Sequence, residues 1–89
     1  QLGDELAILQ LRRKMIISED IAIDGNSLSF MTGDTEFTLK YADHRLYLTP
    51  GYQLFLNDVD GFRFKITDGL IFIEYEKNSK RYERFIAFF

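Results

Sequence analysis

The chain has 89 residues, 46% hydrophobic and 28% charged, with a formal net charge of −3. That is enough for one domain with a core but a thin stability margin, and its acidic balance gives no global attraction to nucleic acid or to an anionic membrane. The absence of cysteine excludes disulfides and thiolate metal sites, and no apolar run approaches the ~18 residues of a membrane span.

A cysteine-free domain fits a cytosolic protein, or an extracytoplasmic one that does without disulfides. No signal peptide is present in the sequence. Nine Phe, five Tyr and a single Pro leave little room for disorder.

The first element is predicted to be a helix over about 4–17. Asp4 and Glu5 lie in its first turn and Arg12, Arg13 and Lys14 near its end, which suits the helix dipole. At about 100° per residue it carries two apolar arcs. Leu2, Leu6, Leu9, Ile16 and Ile17 form one; Ile8, Leu11 and Met15 form the other, roughly opposite. An ordinary surface helix needs one stripe. Either both stripes are core, or one covers the sheet and the other meets a neighbouring subunit. The expectation taken forward is that Ile8, Leu11 and Met15 are the subunit-facing stripe. Little precedes the helix, so it reads as the stub of a longer one.

After the polar break Ser18-Glu19-Asp20, strands are predicted over about 21–89. Ile21-Ala22-Ile23 runs into the turn Asp24-Gly25-Asn26, and Ser27 to Met31 returns. Glu36 to Tyr41 alternates cleanly, with Phe37, Leu39 and Tyr41 inward. Arg45 to Thr49 follows and is broken by Pro50-Gly51. Leu54-Phe55-Leu56 reads as an edge strand or a loop plug. Phe62 to Thr67 is the clearest alternating strand, and Asp68-Gly69 is a tight hairpin signal. Leu70 to Glu76 starts apolar on both faces, as a central strand under a helix would. Arg81 to Phe88 is last. No βαβ crossover can be placed, so the strands, seven or eight in number, are expected to be antiparallel. The fold class expected is α+β, a single domain with the N-terminal helix packed on one antiparallel sheet.

Little chemistry is visible. His44 is the only histidine, so two-His metal motifs are out, and it reads as a surface residue. Asn57 to Gly61 is acidic but lacks most ligands of a calcium loop; Asp-rich turns serve turn geometry on their own. Glu19, Asp20 and Asp24 form a second acidic group read with the same reserve. There is no phosphate loop and no nucleophile elbow. Lys77, Lys80, Arg81 and Arg84, with Tyr75, Tyr82 and Phe85, form a candidate DNA contact of the basic, aromatic kind. The simpler reading is a guarded edge hairpin, and Glu74, Glu76 and Glu83 would offset its field. Phe85-Ile86-Ala87-Phe88-Phe89 suits a mid-sheet strand, or an edge that a partner covers.

Several short motifs carry a resemblance over most of the chain. They are Leu28-Ser29-Phe30, Arg45-Leu46, Gly51-Tyr52-Gln53-Leu54-Phe55-Leu56-Asn57-Asp58-Val59, Phe62-Arg63-Phe64, Leu70-Ile71-Phe72-Ile73 and the closing Glu83-Arg84-Phe85-Ile86-Ala87-Phe88. In this order they resemble the ComGF family of minor pseudopilins, from the Gram-positive competence pilus. The minor pseudopilins of type II secretion are the nearest alternative. The resemblance implies a type IV pilin-like fold and a non-enzymatic, cofactor-free subunit of the pilus that captures DNA during transformation. Its partners would be other minor pseudopilins and the major pilin, with direct DNA contact at a tip as the variant reading. It also implies an extracytoplasmic domain at the cell membrane and cell surface. The membrane helix, prepilin leader and near-terminal Glu of that family are not in this sequence.

Overall fold

A computed structural model describes residues 2–89, with only the backbone of Leu2; Gln1 and the side chain of Leu2 lie outside the described part. The helix, α1, spans Leu2–Met15. Its end is closed by Ser18, whose N–H (3.0 Å) and Oγ–H (2.6 Å) both donate to the Met15 carbonyl. One carbonyl that a helix end would leave without a partner is thus satisfied.

Eight strands follow: β1 (Glu19–Asp24), β2 (Ser27–Thr32), β3 (Thr35–Ala42), β4 (Arg45–Thr49), β5 (Gln53–Leu56), β6 (Gly61–Thr67), β7 (Leu70–Lys77) and β8 (Lys80–Phe88). All pairings are antiparallel between consecutive strands. The hairpins follow from their turn residues. Asp68 (φ 53°) and Gly69 (φ 76°) both take positive φ between the paired Thr67 and Leu70, as a two-residue primed turn requires.

The strands do not form one sheet. They form a five-stranded sheet in the order β1-β2-β3-β4-β5 and a separate three-stranded sheet in the order β6-β7-β8. The break falls at Asn57–Asp60. Asp58 takes φ 58°, and Val59 is driven fully into the core. The Val59 N–H donates to the His44 carbonyl at 2.9 Å, and its own carbonyl accepts the Tyr41 hydroxyl at 2.6 Å. With Val59 pinned in this way, β6 leaves the first sheet and starts a second.

The expected α+β, type IV pilin-like arrangement of a helix laid on one antiparallel sheet is therefore overturned. The domain is mostly β, with two antiparallel sheets and one short helix. α1 lies against β8 of one sheet and β5 of the other, so it spans the gap between two edge strands. One core joins all three parts: Ile8, Leu11 and Met15 from α1, Leu28, Phe30, Leu39, Leu46, Leu48 and Leu56 from the larger sheet, and Ile71, Ile73, Tyr75 and Ile86 from the smaller.

Two bulges shape the strands beside the helix. Opposite Leu46 and Tyr47 of β4 the register slips, which makes Phe55 the extra residue of β5. Opposite Ile71 and Phe72 of β7 it slips again, which makes Ile86 the extra residue of β8. A bulge lets two consecutive side chains share one face; Phe55 and Leu56 are both buried, as are Ile86 and Ala87.

Candidate interaction surface

The two arcs of α1 are real, and their roles are the reverse of those expected. Ile8, Leu11 and Met15 are 3%, 0% and 2% exposed. They fill the seam between the two sheets and cannot meet a neighbour, which corrects their assignment as the subunit interface. Burying them favours the docked helix by about 1.5–3 kcal/mol each. The opposite arc faces out: Leu6 and Leu9 on α1, and Ile16 and Ile17 in the turn after its end at Met15, are exposed, Ile16 at 81%. The sequence held one clue to this polarity. Arg13 lies at the middle of the outward arc, and a cation seldom sits in a core unpaired.

The helix is held in this orientation from both sides. Toward the smaller sheet, Glu5 accepts from Arg84 through Nη2 at 2.8 Å and Nε at 3.0 Å. Asp4 takes Lys77 Nζ at 3.0 Å. Arg12 lies over the Phe85 ring, 5.4 Å from its centroid. Toward the larger sheet, Lys14 lies 4.4 Å over Phe37. The Arg84 hydrogen bond, helped by its charge, lowers the Glu5 pKa against the opposing effect of burial. Burial, with Asp4 adding to it, pushes the Tyr75 pKa up to about 12.

These ion pairs redraw the candidate DNA contact. Of its four basic residues, Lys77 and Arg84 are bound to Asp4 and Glu5, while Lys80 and Arg81 are exposed at the β7–β8 hairpin. Four cations in one free strip are not what the fold presents. On the outer face of the smaller sheet, Arg63 pairs with Glu74, and Lys65 reaches Glu83 at 2.8 Å and Glu74 at 3.6 Å. The Arg63 hydrogen bond lowers the Glu74 pKa. Sequence reading missed both helix-to-strand pairs, because their partners stand 73 and 79 positions apart.

His44 sits exposed at the β3–β4 turn with φ 64°, its Nδ1 3.0 Å from the Val59 carbonyl. That geometry suits an Nδ1–H donor, so the ring helps fasten the turn between the sheets. Asn57 is likewise used by the turn, its Oδ1 accepting the Asp58 N–H at 3.0 Å. Among the described residues, no group of three or more His, Cys, Asp or Glu is placed to hold a metal ion.

One concavity lies where the outward arc meets β8. It is a groove of about 430 Å³. Met15, Ile86 and Ala87 are its buried floor, and Leu9, Ile16 and Phe88 its exposed walls. Arg12 and Arg13 stand at its rim. Phe88 is 71% exposed and packs edge-on to Phe85, 5.2 Å between centroids. Together the arc and the groove make a continuous apolar surface with a basic border, the kind of patch that marks an interaction site.

The fold is a small β-rich domain with an exposed apolar flank on α1 and a groove beside β8. Comparison with known proteins finds no matching family model and no significant match among curated proteins or solved structures.

Proposed function

We propose that this chain is a structural subunit, without enzymatic activity, of a competence pilus: a minor pseudopilin that joins other minor pseudopilins and the major pilin at the cell surface. The observation that carries this is the outward apolar surface made by Leu6 and Leu9, on a helix whose other face already fills the core, with Ile16 and Ile17 in the turn that follows it. A monomeric domain gains nothing from a second apolar stripe, whereas an assembling subunit needs one. Support also comes from the motif order of the sequence resemblance. The two-sheet architecture lends none.

Direct DNA contact is the weaker variant. Lys77 and Arg84 are committed to the helix, and Glu76 and Glu83 border the remaining Lys80 and Arg81.

The test is light scattering after size exclusion, of this domain mixed with soluble domains of competence-pilus minor pseudopilins. A mixed complex that Leu9→Asp abolishes is expected. A domain that stays alone with every such partner would refute the assignment.

A further inference from the structure

The chain divides into two halves that share a core but no strand ladder. Residues 2–56 form α1 and the larger sheet, and residues 61–88 form the smaller sheet. Among the described residues, no strand of one half pairs with a strand of the other. The halves meet through the common core, the Asp4–Lys77 and Glu5–Arg84 ion pairs and the stack of Tyr41 on Phe62, 5.0 Å between centroids. None of these contacts needs both halves to come from one chain. Two copies that exchanged their smaller sheets would rebuild all of them, as swapped dimers do. Only the link Asn57–Asp60 tells the closed chain from an exchanged pair.

That link is held shut. The Val59 N–H donates to the His44 carbonyl at 2.9 Å, and the Val59 carbonyl accepts the Tyr41 hydroxyl at 2.6 Å with His44 Nδ1 at 3.0 Å. These contacts tie Val59 to the first half, where its side chain is fully buried. The next residue is tied to the second half: the Asp60 N–H donates to the Glu76 carbonyl at 2.8 Å. Neighbouring residues thus anchor to different halves, and the link has no slack. Exchange needs the link straight, so that β5 and β6 run on as one strand, and straightening withdraws Val59 from His44 and Tyr41.

We infer that the Val59 clasp is a conformational lock: it keeps the smaller sheet on its own chain, and its release lets two copies exchange β6–β8. Short links between halves that share a core invite exchange. A clasp whose bonds exist only in the closed form selects between two forms whose other contacts are equal. The lock operates within one chain and needs no pilus partner.

The test compares the wild-type domain with Tyr41→Phe and with Tyr41→Phe, His44→Ala, each refolded at millimolar concentration and measured by light scattering after size exclusion. The double variant lacks both side-chain bonds to the Val59 carbonyl. Its dimerisation constant is expected to exceed that of the wild type at least about tenfold, with Tyr41→Phe between the two. Because the chain has no cysteine, the form of the dimer can be read by cross-linking. Copies of the double variant carrying Asp4→Cys are refolded together with copies carrying Lys77→Cys and treated with a short bismaleimide. Asp4 and Lys77 lie 3.0 Å apart in the closed chain, so exchange sets the two cysteines side by side on different chains, and a link between positions 4 and 77 is expected. A double variant that stays monomeric, a wild type that dimerises as readily, or a dimer without that link would overturn the inference. So would a double variant that fails to fold, since the clasp would then hold the fold itself rather than choose its closed form.

Discussion

Replacing Leu11 and Leu9 by alanine, one at a time, separates the two faces of α1. Leu11 is fully buried between the sheets, while Leu9 is 39% exposed at the groove. Leu11→Ala removes buried methyl and methylene groups and leaves a cavity whose walls belong to two sheets and a helix. Such changes cost about 2–5 kcal/mol. At about 0.05–0.15 kcal/mol per residue, a domain of 89 residues has a total of only about 4–13 kcal/mol. The Leu11 variant should therefore lose at least about a sixth of its stability, and its Tm should fall by at least about 8 °C. Leu9→Ala should cost about 1 kcal/mol or less, since its side chain is half in solvent already. Urea unfolding followed by circular dichroism gives both values, and an unchanged m-value would confirm two-state comparison. If Leu9→Ala costs as much as Leu11→Ala, the assignment of the two faces is wrong.

Other consequences are open to simple measurement. Glu5→Gln should destabilise the domain by up to about 1 kcal/mol at pH 7, the Glu5–Arg84 pair being partly exposed. Because the folded Glu5 pKa is lowered, that contribution is present above the ordinary Glu range and lost as pH falls through the folded value; stability curves of the two proteins should converge in acid. Tyr75 behaves in the opposite sense. Its pKa is raised to about 12, so its contribution is full below about pH 10 and is lost as pH climbs toward the folded value. Absorbance titration should show late-titrating tyrosines, the last of which Tyr75→Phe removes. Tyr41→Phe deletes the hydroxyl that donates to the Val59 carbonyl and should cost about 1 kcal/mol, seen as a lower urea midpoint. Lys80→Ala with Arg81→Ala should leave DNA binding in a salt series unchanged at a low, weak level, whereas a steep salt slope removed by these changes would restore the DNA-contacting reading.

Much of the strand pattern was legible because alternation needs only one neighbouring face. Phe37, Leu39 and Tyr41 point inward from β3, and Asp68-Gly69 makes its hairpin, as their residue types require. The partner of each strand was less legible. Nothing in the Asn57–Asp60 composition says that Val59 will be pinned by His44 and Tyr41 and that the ladder will stop there. For that reason a single sheet was expected where two occur. The helix showed its two arcs, with Arg13 as the one hint of which was core, since the choice depends on β5 and β8 meeting it from both sides. The basic strip looked free for the same reason: Lys77 and Arg84 find their carboxylates at the opposite end of the chain.

The outward face of α1 as an assembly surface can be tested most directly by cysteine reactivity, since the chain contains no cysteine of its own. Leu9→Cys, Ile16→Cys and Leu11→Cys would each be treated with a maleimide, alone and mixed with soluble domains of the minor pseudopilins proposed as partners. The account expects rapid labelling at positions 9 and 16 in the isolated domain, slow labelling at 11, and protection of 9 and 16 in the mixture. Labelling at 9 and 16 that stays equally fast in a mixture shown by light scattering to contain the complex would contradict it.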